Sequence, residues 1–259
     1  MTASASFPRR FGLLLYPEFE VLDVAGPIEA LIGLSQRGYG DMQLSIISHT
    51  LDPVSPGLND FGRAIRYLPT HTFETAPQLD VLLVPGGLGT IEGIPSPDKP
   101  RIDDYVDYVR KAYRGYDGHE PLQYIFSVCN GALVLGKAGV LDGHKATTNK
   151  AAWRLITPSA PKAHWVASAR WVESGNVWTT SGVSAGADGM LAWMASLLPD
   201  KVVTEVADGM EWQRVWSSDD DPFAELNGCE DVLPEEDELQ VQVCSRWQIN
   251  IDLKHPYAI

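Results

Sequence analysis

The stretch LQYIFSVCNGALVLGKAGVLDG, Leu122 to Gly143, joins a short apolar run to an apolar helical pattern through a single cysteine, Cys129. An apolar run with no alternation reads as a strand buried on both faces, and Asn130 to Ala138 reads as a helix. A strand that feeds straight into a helix is the repeating unit of an α/β sandwich. It places its corner residue at the carboxyl edge of the sheet, where such folds bind and react. The same grammar recurs along the chain. FGLLLY (Phe11 to Tyr16), LSII (Leu44 to Ile47) and VLLVP (Val81 to Pro85) are further buried-strand runs, separated by helical patterns at Gly26 to Leu34, opened by Pro27, and at Pro100 to Tyr113. The expected fold is a three-layer α/β sandwich around a central, mostly parallel sheet.

Beyond the cysteine, HWVASARWVESGNVWTTSG (His164 to Gly182) alternates apolar and polar residues and breaks at Ser174-Gly175-Asn176, the pattern of a hairpin-like pair. A helix is expected from Ser184, as N-cap, to Leu198, stopped by Pro199, and another from about Lys201 to Val215. SSDDDPFAELNGCEDVLPEEDELQ (Ser217 to Gln240) is acidic and turn-rich, more a surface wrap or lid than a second domain. The expected organisation is one domain over residues 10–223 with an acidic extension over 224–259 packed on it. Asp219, Asp220 and Asp221 are expected to be solvated.

The chain has 259 residues, 44% of them hydrophobic, and a formal net charge of -14. That charge repels phosphate backbones and anionic lipid, which argues against nucleic-acid and membrane partners and for a small-molecule substrate. No apolar run has the length to span a bilayer, and the first apolar segment is soon broken by Pro17 and Glu18, so the default expectation is the cytoplasm. Cys129, Cys229 and Cys244 show no paired spacing. Neither a disulfide framework nor a metal site is indicated, and no cofactor is expected.

A nucleophile between a strand and a helix faces the N–H groups and positive dipole end of that helix, which favours thiolate over thiol. Gly131 suits so tight a turn. The plainer alternative is a buried structural thiol, because free cysteines are among the most buried residues. VLLVPGGLG (Val81 to Gly89) is a second buried strand ending in glycine, and the N–H groups of Gly86 and Gly87 would face charge developing on a substrate at Cys129; an ordinary turn is its alternative. In LYPEFEVLDVAGPIEAL (Leu15 to Leu31) a loop carries Glu18, Glu20 and Asp23. Asp23, flanked by Leu22 and Val24, is either a desolvated proton-transfer group or a capping residue upstream of Pro27.

Taken in order, VLDVAGP, VPGG and SVCNGALVLGKAGVLDGHKATT resemble the ThiJ/PfpI superfamily of flavodoxin-like, glutamine amidotransferase-like folds. Within it the likeness is to isocyanide (isonitrile) hydratases and their fungal-type relatives, supported by TSGVSAGADGMLAWMA (Thr180 to Ala195) and MEWQRVWSSDDDPF (Met210 to Phe223). The resemblance implies Cys129 as nucleophile, Asp23 as acid/base partner, and Gly86, Gly87, Asn130, Gly131, Ser181 and Gly182 around the substrate. It implies hydration of an isocyanide to an N-substituted formamide through a thioimidate, without a cofactor, by a homodimer. The chain departs from the hydratase pattern at Asn130, where threonine is usual, and at Asn149, where ATTH becomes ATTN.

Relatives with other activities set the alternatives. Peptidase-like members place histidine directly after the cysteine, where Asn130 stands; amidotransferases use His-Pro-Glu, and the HPY at His255 lacks the glutamate. Residues beyond Pro222 are too few and too acidic for a helix-turn-helix half. His49, His71, His119, His144 and His164 lack metal-ligand spacing. A redox-responsive cysteine, or a glyoxalase-like enzyme acting on dicarbonyls with Glu18 or Glu20 near the thiol, remain open readings. Of the eight tryptophans, Trp212 and Trp216 are expected nearest the pocket or a dimer contact, the rest being core.

Overall fold

The computed structural model describes residues 7–57, 59–91 and 102–235. Nine strands and eight helices follow in the order β1 (Arg10–Leu14), α1 (Val21–Ser35), β2 (Gln43–Ser48), α2 (Asp60–Arg63), β3 (His71–Thr72), β4 (Val81–Val84), α3 (Ile102–Arg114), β5 (Tyr124–Val128), α4 (Gly131–Lys137), β6 (Lys145–Ala146), α5 (Trp153–Ile156), β7 (His164–Trp165), β8 (Trp171–Ser174), β9 (Val177–Thr180), α6 (Ala185–Leu197), α7 (Asp200–Gly209) and α8 (Phe223–Leu226). Seven strands form one sheet in the order β3-β2-β1-β4-β5-β9-β8. Its pairings are parallel except that β8 runs antiparallel to β9 through the turn at Gly175-Asn176.

Val81 to Val84 and Ile125 to Val128 are buried residue by residue, as strands covered on both faces must be. Helices α1, α6 and α7 pack on one another as one layer, and α3 packs with α4 as the other. This is the three-layer sandwich expected from the sequence. Strand order reverses at β1, with β2 and β3 to one side and β4, β5 and β9 to the other. The crevice beyond the carboxyl ends of β1, β4 and β5 is therefore the place for a site. Among the described residues no helix is long and apolar enough to cross a membrane.

Several expected boundaries are corrected. Helix α1 starts at Val21, not near Gly26, so Pro27 lies inside it. Proline costs a helix one backbone bond, but burial of Val24, Ala30, Leu31 and Leu34 along one continuous face outweighs it. Helix α7 ends at Gly209, and Glu211 just beyond it takes a left-handed φ of 49°, which turns the chain out of the helix well before Val215. Ser184 occupies the N-cap of α6 without capping it; its hydroxyl accepts from Arg170 Nη2 at 3.1 Å. His164–Trp165 leaves the expected hairpin and pairs with β6 in a two-stranded sheet, bridged on the other side by Val232.

The acidic segment is not wholly solvated. Asp219 and Asp220 are exposed, but Asp221 is buried and paired with the equally buried Lys150, Nζ to Oδ2 at 3.2 Å. Charge burial of this kind depends on a partner distant in sequence, which composition does not show.

Candidate active site

Three parallel strands deliver the three sequence motifs to one point. Asp23 arrives in the first turn of α1 after β1, Gly86 follows β4, and Cys129 follows β5. A Cβ built on Gly86 would lie 2.8 Å from Asp23 Oδ2, 2.8 Å from Cys129 Cβ and 2.5 Å from the Asn130 nitrogen. Only glycine lets the segments meet this closely.

Cys129 has a φ of 55°, unusual for a residue with a Cβ. The scaffold holds it there from both sides. Its N–H is shared between the carbonyls of Thr180 and Ser181 at 3.2 and 3.1 Å, and its carbonyl accepts from Thr148 Oγ1 at 2.8 Å. Gly131, directly after Asn130, passes so near β4 that a Cβ would meet the Val84 carbonyl oxygen at 2.2 Å. A strained cysteine fixed by its surroundings is the geometry of a nucleophile elbow.

Asp23 is buried, and its Oδ2 accepts from the Gly86 N–H at 2.7 Å. Oδ1 is also buried and has no hydrogen-bond partner among the described residues. Burial pushes the Asp23 carboxyl up to about 8; the Gly86 N–H opposes this, Glu20 adds to it, and the Cys129 thiol pulls weakly downward. The group is therefore a protonated acid near neutrality.

Burial likewise pushes the Cys129 thiol up to about 12, reinforced by the charge of Asp23 and opposed by the backbone N–H groups of Val183 and Asn130 and by Asn149. This corrects the expectation of a helix-stabilised thiolate, because α4 is short and desolvation outweighs its donors. Burial thus disfavours the charged form of both groups. Tyr16 is buried, its hydroxyl donating to the Pro85 carbonyl, and burial followed by the electrostatic influence of Asp23 and Cys129 drives its phenol well upward.

The remaining expected site residues divide. Asn130 is buried beside the sulfur, its Oδ1 3.7 Å from Sγ. Ser181 and Gly182 follow β9 at the same edge, Ser181 buried and bonded through its N–H to the Arg170 carbonyl at 2.8 Å. The Gly86 N–H is taken by Asp23, so it anchors the carboxyl instead of facing a substrate. Gly87, at φ 122°, serves close approach, since a Cβ there would lie 2.3 Å from the Glu18 carbonyl oxygen. Glu18 is buried at a φ of 65° and Glu20 is exposed, but the carboxyl that joins the thiol is Asp23.

Trp212 donates its indole N–H to Asp188 at 2.7 Å, while Trp216 is exposed with the Arg214 guanidinium 4.2 Å over its ring. The described histidines have other partners, among them Ser174 for His144 and Thr70 for His71. Sequence reasoning missed Tyr16 and Val183, and noted Asn149 only as a departure from a pattern. Asn149 donates from Nδ2 to Cys129 Sγ at 3.3 Å. Its signal in the sequence was an amide closing ATTN.

A strained cysteine at a strand-to-helix elbow after β5, beside a buried carboxyl that follows β1 one strand further along the sheet, defines a cysteine-elbow protein of the glutamine amidotransferase-like fold. The chain belongs to the DJ-1/PfpI family, whose model matches residues 9–198. Among curated proteins it is similar to the isonitrile hydratase of Pseudomonas putida, 33% identical over 181 residues that cover 69% of this chain and 68% of the relative. Among solved structures it is similar to a ThiJ/PfpI family protein from Pseudomonas syringae, at TM-score 0.64 and 26% identity over 83% of this chain and 80% of that one. An AraC family transcriptional regulator from Pseudomonas putida matches at TM-score 0.61 and 20% identity over 78% of this chain and all of that chain, a likeness of fold alone.

Proposed function

We propose that the protein is a lyase of the isocyanide hydratase type, with Cys129 as nucleophile and Asp23 as acid and base. The observation that carries this reading is the placement of Asp23: one carboxyl oxygen fixed by Gly86, the other buried with no hydrogen-bond partner among the described residues, beside the thiol of a strained elbow. Similarity to the isonitrile hydratase of Pseudomonas putida supports the substrate class. A carboxyl held protonated near neutrality suits an isocyanide, whose terminal carbon takes a proton as it takes a nucleophile.

The chemistry balances on these two side chains and water. Asp23 gives its proton to the terminal carbon of R–N≡C, the sulfur bonds to that carbon, and the thiol proton passes to the Asp23 carboxylate, leaving the thioimidate Cys129–S–CH=N–R. Water then adds across C=N, its oxygen bonding to carbon and one proton reaching nitrogen through Asp23. The resulting S–CH(OH)–NHR collapses with loss of the C–S bond. The hydroxyl proton returns by way of Asp23 to sulfur, freeing the formamide and the thiol. No oxidant or metal enters.

The redox-responsive alternative needs a ready thiolate, and burial works against one. The deciding experiment offers an aryl isocyanide to the purified protein and follows the N-aryl formamide by chromatography. Formamide should form, and Cys129→Ala should abolish it. A protein that makes none, beside the active Pseudomonas putida isonitrile hydratase, overturns the reading.

A further inference from the structure

The acid–base pair leaves one contact at the sulfur without a role. Asn149 lies between β6 and α5, and its Nδ2 donates to Cys129 Sγ at 3.3 Å. Its Oδ1 accepts from the Ala152 N–H at 3.2 Å, so the amide is oriented with nitrogen toward sulfur and oxygen away. Gly182 provides the room, since a Cβ there would lie 2.6 Å from Nδ2.

Both neighbours of Asn149 are tied to buried groups. Thr148 Oγ1 donates to the Cys129 carbonyl at 2.8 Å. Lys150 Nζ donates to Thr147 Oγ1 and, at 2.9 Å, to the Ala169 carbonyl, and it pairs with Asp221. The loop is thus pinned on each side of the residue that meets the sulfur. An amide N–H gains little from a neutral thiol, but its bond to an anionic sulfur is charge-assisted and roughly twice as strong. Such a contact favours the sulfur in the states where it carries charge.

We propose that Asn149 is a third catalytic residue, whose Nδ2–H stabilises anionic sulfur both when Cys129 attacks and when it is expelled as leaving group. Asn149 exchanges no proton; the thiol proton still passes to Asp23. Lys150 and Asp221 are positioning residues that act through it. The role concerns the thiol itself and holds whichever electrophile the site accepts, so its test requires no isocyanide.

The test is alkylation of Cys129 by iodoacetamide in the folded protein, as a function of pH, read peptide by peptide with Cys229 as internal reference. Asn149→Ser keeps an oxygen for the Ala152 N–H but is too short to reach the sulfur; Asn149→Leu keeps the bulk and loses both bonds. Each should slow Cys129 alkylation about tenfold at every pH up to about 10, the effect of a thiol raised by about one pH unit, while Cys229 reacts as before. Wild-type alkylation of Cys129 in the serine variant overturns the proposal. So does a change at Cys129 matched by an equal change at Cys229, which lies against the Lys150 carbonyl and reports loosening of the loop.

Discussion

Asp23 and Cys129 are two acids placed where neither ionises readily, and this sets a pH dependence for the whole fold. The Asp23 carboxyl rises from the ordinary carboxylate range to about 8 chiefly through burial. Between about pH 4 and about pH 8 the unfolded chain has lost this proton and the folded chain keeps it. The group's contribution to stability is therefore complete below about pH 4, declines as pH rises, and is lost above about 8. Asp23→Asn removes the decline. Urea unfolding at a series of pH values should show the variant gaining on the wild type toward pH 8, at up to about 1.4 kcal/mol per pH unit; parallel curves would contradict the buried acid. At the same scale, the proposed hydration of isocyanides predicts that Asp23→Asn lowers turnover by about 100-fold or more, the contribution of a positioned proton-transfer group. Cys129 and Asp23 stood out as candidates because each interrupts an apolar run at a strand or helix boundary, but the local pattern left a plainer alternative for each, and their roles came from the resemblance. The state of the thiol was not legible: the sequence shows the helix that would lower its pKa but not the degree of desolvation that raises it.

Among the elements, the elbow depends on α4 beginning against β4 with no space between them. A Cβ on Gly131 would lie 2.2 Å from the Val84 oxygen and 2.7 Å from the Pro85 oxygen, and both are backbone atoms that cannot rotate away. Gly131→Ala should therefore destabilise the protein by roughly 3 kcal/mol or more, at the upper end of overpacking costs. Gly143 is the useful comparison: its φ is 77°, yet a Cβ there meets nothing within 4 Å. Gly143→Ala should cost only the left-handed backbone penalty, roughly 1–2 kcal/mol. Denaturant midpoints at equal slope separate the two, and similar losses would mean that α4 can shift away from β4. The strands were readable because fully buried strands leave unbroken apolar runs. The start of α1 was not, because Pro27 reads locally as the first residue of a helix, and only the burial of the surrounding face carries the helix back to Val21.

At the scale of the molecule, the acidic segment after α7 is fastened across the same end of the fold that carries Asn149. The Trp212 indole meets Asp188, which also accepts from Arg170 Nε at 2.6 Å; the Arg170 N–H reaches the Ser218 carbonyl at 2.6 Å; Asp231 Oδ1 accepts from the Ala167 N–H at 2.8 Å; and Trp153 Nε1 donates to the Glu230 carbonyl at 3.1 Å. Composition presented this segment as solvated charge, and most of its described residues are exposed. The exception, Asp221, is decided by a lysine far upstream, which no local pattern reveals. Burial depresses the Lys150 pKa, and Asp221 is the largest influence restoring it. Removing the carboxylate strands a buried cation, which costs about 3–5 kcal/mol, whereas replacing both charges with apolar groups of similar volume is near neutral. Asp221→Ala should therefore lower stability by about that amount, and Lys150→Met with Asp221→Leu should recover most of it. A double-mutant cycle measured by thermal unfolding reads the coupling directly. Strictly additive losses would mean that the two charges do not depend on one another, and that the segment is held by its backbone contacts alone.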